Sequence, residues 1–154
     1  MLALKPSHPI RTSNTSCHQI QWLGQTSFRL RIKTPAKTFM LYIDPDIQNS
    51  MLPHSVRTTF IKQEVPTDAD FVLCTSNMGQ NLANALTLCL AAQNRECRII
   101  CAPSTAETLL ATKLINANML SVISSRGDVS IGIARITMVH ANYSANCVRA
   151  SLIA

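Results

Sequence analysis

Several features that define large protein classes are missing from this chain of 154 residues. No apolar run approaches the roughly 20 residues that a membrane-spanning helix needs, so we expect no insertion into a membrane. No Gly-rich turn follows an opening strand, as it would in a plain nucleotide-binding fold. The sequence also has no secretory h-region, no internal repeat and no low-complexity tract.

The cysteines indicate the redox environment of the protein. All 6 lie inside periodic segments, and the chain shows no secretory signal. Both observations disfavour a disulfide framework and favour reduced thiols, so we expect a cytoplasmic protein.

What is present fits one folded domain with an uneven charge. Apolar residues make up 47% and charged residues 14% of the chain, which suits a sizeable core. The whole net charge of +6 lies in residues 1–43, which contain no acid. We expect residues 1–17 to form a disordered basic tail, with a mitochondrial transit peptide as the alternative, and residues 18–154 to form the domain.

The first part of that domain is predicted to be a β-meander. Residues 18–43 carry three strands, and in the middle strand Phe28, Leu30 and Ile32 alternate with basic residues, so one face is buried. The opposite face carries Arg29, Arg31 and Lys33. No aromatic side chain alternates with them, so we expect a solvated face and no nucleic-acid binding.

The remaining residues are predicted to alternate strands and helices after an irregular connection over 44–69. Strands are expected at 70–75, 98–102, 129–131 and 134–141. One helix is expected to be capped by Asn81, and a second to open at Pro103 with Ser104 and Glu107 in capping-box spacing. The apolar stripe of the first helix is Leu82, Ala85, Leu86, Cys89 and Leu90, and the inward residues of the second are Ala106, Leu109, Leu110 and Leu114. The predicted class is therefore α/β, a β-meander followed by strand-helix-strand-helix units.

The stretch from Phe71 to Asn81 ends an apolar strand in a polar loop and resembles the Thr-His-x-His-x-Asp-His loop of the metallo-β-lactamase fold. Thr75 is retained, but the two His, the Asp and the last His of that motif are replaced. The replacing residues are Ser76, Met78, Gln80 and Asn81. A closer resemblance, to the metal-dependent hydrolases similar to ascorbate-6-phosphate lactonase, is carried by segments 20–28 (IQWLGQTSF), 43–45 (IDP) and 137–144 (TMVHANYS). In the last segment, Tyr143 stands where those hydrolases have a further metal-binding His.

This resemblance implies the first half of a metallo-β-lactamase-type αβ/βα sandwich. Half a sandwich leaves sheet surface exposed, so we expect a homo-oligomer or a partner subunit to cover it. The degenerate pocket that the resemblance implies consists of Asp44, Thr75, Ser76, Asn77, Met78, Gln80, Asn81, His140 and Tyr143.

Neutral hydroxyl and amide groups cannot replace histidines as zinc ligands, so we expect no cofactor and no catalytic residue. The predicted function is that of a hydrolase-like pseudoenzyme acting as a scaffold or binding module. The alternative is an active zinc- or manganese-dependent hydrolase of phosphorylated lactones or phosphodiesters, with a site completed elsewhere. For the loop itself, polar helix capping and an anion site at the helix N-terminus both stay open. Asp44 has an Asx-type turn as its simpler explanation, and His140 a structural role.

Overall fold

The structure, a computed structural model, describes residues 18–24, 26–47, 65–77, 79–131, 134–140 and 148–153. The predicted tail, residues 1–17, and most of the predicted connection, residues 48–64, lie outside the described residues. None of the helices in the described ranges is both long and apolar enough to cross a lipid bilayer.

Two sheets contain all the described strands. The first has six strands in sequence order: β1 (Gln19–Gly24), β2 (Ser27–Lys33), β3 (Thr38–Ile43), β4 (Phe71–Leu73), β5 (Arg98–Cys101) and β6 (Leu120–Val122). The second has β7 (Asp128–Ile131), β8 (Ala134–His140) and β9 (Val148–Ile153). The helices are α1 (Gly79–Ala91), α2 (Pro103–Ala111) and two 3₁₀ turns at Gln93–Arg95 and Ala117–Met119.

The pairing changes from antiparallel to parallel within the first sheet. Strands β1, β2 and β3 pair antiparallel as a meander, and β3 to β6 pair parallel. The carboxyl ends of β3, β4 and β5 therefore meet at one edge, which in open α/β sheets is where ligands bind.

Apolar residues on both faces of the first sheet make two cores. On one face Met40, Tyr42, Val72 and Ile99 pack with α1, which contributes Leu82, Ala85, Leu88 and Cys89 among others. On the other face Leu30, Leu41, Leu73 and Ile100 pack against Ile131, Ile136 and Met138 of the second sheet. The layers are thus helices, sheet and sheet, and the predicted α/β class and opening meander are confirmed.

Several local predictions were wrong. Asn81 is not a cap, because α1 begins two residues earlier at Gly79. Ser104 forms no capping box: α2 begins at Pro103 with Ala102 as its N-cap and no side-chain cap bond. Leu110 (39% exposed) and Leu114 (60%) do not face inward. Leu110 lies next to the buried Leu109 on α2, and Leu114 lies beyond the end of the helix at Ala111. Strand β6 was not predicted at all.

Candidate functional site

The candidate site lies where β3 and β4 end side by side. Asp44 directly follows β3, and Thr75 follows β4 by two residues. The Asp44 N–H donates to the Leu73 carbonyl at 2.9 Å, which continues the parallel ladder past the end of β3. The parallel pairing of β3 with β4 therefore brings together Asp44 and Thr75, two of the residues that the sequence predicted for the pocket.

Both oxygens of the Asp44 carboxylate accept hydrogen bonds from Thr75. Its Oδ1 accepts a hydrogen bond from the Thr75 N–H at 2.9 Å, and its Oδ2 accepts one from the Thr75 hydroxyl. Asp44 is only 6% exposed. Burial raises the pKa of its carboxyl above the usual value, although both bonds from Thr75 act in the opposite direction.

The remaining loop residues supply neutral groups. Ser76, Asn77 and Asn81 are half-buried, and Gln80 is exposed. The Gln80 Nε2 lies 3.5 Å from the Oδ1 of Asn84, one helical turn further on. No carboxylate or imidazole occurs among these side chains.

Asn84 is a site residue that sequence reasoning missed. It is 2% exposed on α1, and its Nδ2 has no hydrogen-bond partner among the described residues. The available signal was an amide inside an otherwise apolar helical stripe, which is uncommon because an unpaired buried amide costs about 1–3 kcal/mol.

The remaining predicted pocket residues are Met78, His140 and Tyr143. Met78 and Tyr143 lie outside the described residues. His140 is the last residue of β8 and pairs in register with Val148 of β9.

The donor set does not fit the metal that the resembled fold would hold. Across the described ranges, no three His, Cys, Asp or Glu side chains lie together so that they could hold a metal ion. Asp44, the acid directly after β3, already accepts two hydrogen bonds from Thr75. Zinc sites use histidine, thiolate or carboxylate ligands, so the described part of the chain offers no ligand set.

A second polar cluster, also missed from the sequence, lies on the helix-covered face of the first sheet. The Tyr42 hydroxyl donates to Asp68 Oδ1 at 2.6 Å, and Arg29 Nη2 donates to Asp68 Oδ2. The Arg29 guanidinium carbon is 5.8 Å from the centroid of the Tyr42 ring. Burial alone would raise the pKa of Asp68, but the bonds from Tyr42 and Arg29 outweigh it, so the pKa lies below its usual value.

Comparison with known proteins identifies the fold. No protein-family model and no curated protein matched the chain. Among solved structures it is similar to CmlA, a diiron β-hydroxylase from Streptomyces venezuelae, with a TM-score of 0.58 and 16% sequence identity. It is also similar to YhfI from Bacillus subtilis, a metallo-β-lactamase fold protein, with a TM-score of 0.52 and 13% identity. The fold is that of the metallo-β-lactamases.

The metallo-β-lactamase fold is matched here only in part. The alignment covers 92% of this chain but 28% of CmlA, and 90% of this chain but 55% of YhfI. Identities this low establish the fold alone, so the closer resemblance to lactonases stays a prediction. The strand order, with a meander leading into strand-helix-strand-helix units, matches the predicted first half of the αβ/βα sandwich.

Proposed function

We propose that this protein is a metallo-β-lactamase-fold pseudoenzyme, which holds no metal at the β4 loop and acts as a scaffold or binding module. The observation that carries the proposal is the closed pairing of Asp44 with Thr75. Both oxygens of this carboxylate accept hydrogen bonds from Thr75, so Asp44 serves to hold the ends of β3 and β4 together. The side chains at the following loop positions that the structure describes are neutral.

The chemical consequence follows from the ligands. A hydrolase of this kind needs a bound metal to lower the pKa of water toward about 7 and so supply a nucleophile. Hydroxyl and amide oxygens at Ser76, Asn77 and Gln80 are weak ligands that do not hold a transition metal against water. Hydrolysis of lactones or phosphodiesters would therefore lack its nucleophile.

Metal analysis of the purified protein tests the proposal directly. The full chain is purified without chelator, next to an active metallo-β-lactamase as positive control, and both are analysed for zinc, manganese and iron. We expect substoichiometric metal in this chain and no turnover of lactone or phosphodiester substrates above background. One equivalent of retained metal, or turnover abolished by a chelator, would instead support the alternative, a metal-dependent hydrolase completed by residues elsewhere.

The edge of the first sheet supports the scaffold part of the proposal. Ile20 is 73% and Trp22 67% exposed on β1, the outermost strand. They pair in register with Leu30 and Phe28, whose side chains contribute to the core between the two sheets. An apolar surface continuous with a core favours covering by a second copy of the chain or by a partner subunit. Light scattering over a range of concentrations should show self-association, and a monomer at high concentration would count against a homo-oligomer.

A further inference from the structure

A groove on the first sheet lies away from the Asp44 loop and gathers three arginines. Arg29 and Arg31 of β2 stand on one face, opposite Gln21 and Gln19 of β1 in the antiparallel register. Arg95, at the end of the 3₁₀ turn after α1, approaches the same space. The groove encloses a volume of about 350 Å³, lined also by Thr38, Met40 and Asp68.

The carboxylates beside this groove are already paired with donors of the chain. Asp68 accepts bonds from Tyr42 and Arg29 on its two oxygens. Asp70, behind Arg95, accepts from Arg95 Nη2 at 3.0 Å on each oxygen and from the Met40 N–H at 2.7 Å. The two acids therefore neutralise two of the three guanidinium groups and leave one positive charge over.

That remaining charge belongs to Arg31. Its side chain is exposed, and among the described residues it forms no ion pair and no side-chain hydrogen bond. A guanidinium carries five N–H donors in a planar fork that matches oxyanions. Gln19 and Gln21 add neutral amide donors on the same wall.

From this geometry we propose that the groove binds the phosphate group of a small phosphorylated molecule. Arg31 makes the main contact, and the side-chain amides of Gln19 and Gln21 add neutral donors beside it. Arg29 and Arg95, whose charges are offset by Asp68 and Asp70, complete the wall of the groove. The volume lies within the range of roughly 300–1,000 Å³ typical of small-molecule pockets. A phosphomonoester carries about −1.5 to −2 charges at neutral pH, so it gains more from the unpaired charge of Arg31 than a single carboxylate does.

This site is independent of the candidate metal loop. Arg31 pairs in register with Met40, whereas Asp44 lies four residues further along, beyond the end of β3. At 3.3 Å per residue, Met40 and Asp44 are about 13 Å apart along the chain. Anion binding and metal binding can therefore succeed or fail separately.

Calorimetric titration of the full chain with inorganic phosphate and with glucose 6-phosphate tests the proposal, with glucose as the uncharged control. We expect saturable binding of both phosphates with one site per chain, and none of glucose. Arg31→Gln should weaken binding by about tenfold or more, the usual effect of losing a charge-assisted hydrogen bond. Its thermal melt should match that of the wild type, because Arg31 has no described partner to lose.

Lys33→Gln is the matched control. It removes the same charge from the same face of the same strand, but Lys33 does not line the groove. We expect a loss of affinity of no more than about twofold, because Lys33 acts only through its partly screened charge and makes no direct contact in the groove. Equal weakening by Lys33→Gln and Arg31→Gln would show diffuse electrostatics and overturn the proposal. The absence of saturable phosphate binding by the wild type at millimolar concentration would overturn it as well.

Discussion

Replacement of Thr75 by valine tests whether the Asp44 carboxylate belongs to the scaffold. Valine has nearly the shape of threonine but lacks the hydroxyl that donates to Asp44 Oδ2. A hydrogen bond to a charged group contributes about 1.5–3 kcal/mol, and Asp44 is too buried to replace the lost donor with water. We therefore expect Thr75→Val to lower the free energy of unfolding by about 2 kcal/mol at neutral pH. In a chain of this size that corresponds to a fall in Tm of about 4–8 °C.

The effect should depend on pH with a definite sign. Burial already holds the folded-state pKa of Asp44 above its unfolded value, so its ionisation lowers stability as pH rises from the unfolded pKa through the folded one. The hydroxyl of Thr75 opposes that shift, so its loss raises the folded pKa further. The difference in stability between wild type and Thr75→Val should therefore be largest at neutral pH and shrink as the solution becomes acidic.

Denaturant unfolding at several pH values, followed by circular dichroism, measures both quantities. Thr75→Ser keeps the hydroxyl and serves as the control. In an Asp44→Asn background the partner is neutral, so Thr75→Val should lower stability by only about 1 kcal/mol. The reasoning fails if Thr75→Val and Thr75→Ser agree within about 0.5 kcal/mol at neutral pH, the usual scatter of neutral substitutions.

Three further outcomes are expected. Asp70→Ala should lower the free energy of unfolding by about 2–3 kcal/mol in denaturant melts, because the buried Met40 N–H and the Arg95 guanidinium lose their acceptor; Asp128→Ala, at an exposed pair, should leave the melt unchanged. Cys101 should resist iodoacetamide in the native state and react after denaturation, because burial raises its pKa to about 11; rapid native alkylation, read by peptide mass spectrometry, would contradict this. Oligonucleotides should bind only weakly and with strong salt dependence, and sub-micromolar affinity at physiological salt would contradict the prediction that the protein binds no nucleic acid.

The parts of the fold that could be predicted are those whose signal is local. Strand β2 alternates apolar and basic residues, and α1 carries an apolar stripe at helical spacing, so each periodicity identified its element. Strand β6 has only three residues, Leu120–Val122, and owes its existence to pairing with β5. Strand β4 is equally short, but it lies in a continuous apolar run from Phe71 to Cys74, whereas Ser121 interrupts the apolar residues of β6.

The predicted start of α2 was wrong because two local signals compete there. The sequence Pro-Ser-Thr-Ala-Glu satisfies the spacing of a capping box, but Pro103 has a fixed φ that suits the first helical position. That places Ser104 inside the first turn and leaves Ala102 as the N-cap. Backbone preference decided the boundary, and the side-chain pattern gave the wrong residue.

The polar clusters could not be predicted because their members are distant in sequence. Asp68 meets Arg29 across 39 positions, and Asp70 meets the Met40 N–H across 30. Before folding, Asp68 and Asp70 are two acids in a connecting segment. Only the parallel pairing of β3 with β4 brings them to the basic face of the sheet.

Asp44 has a structural role at the junction of β3 and β4. Its φ of 41° lies in the left-handed region, which costs a non-glycine residue about 1–2 kcal/mol, and its carboxylate is buried. Both costs are offset locally, since its N–H donates to Leu73 and its two oxygens accept from Thr75. Three hydrogen bonds thus join the ends of β3 and β4 and fix the start of the loop. Because all three donors come from the chain itself, the junction of β3 and β4 forms without any bound ligand, and its strength depends on the hydroxyl of Thr75.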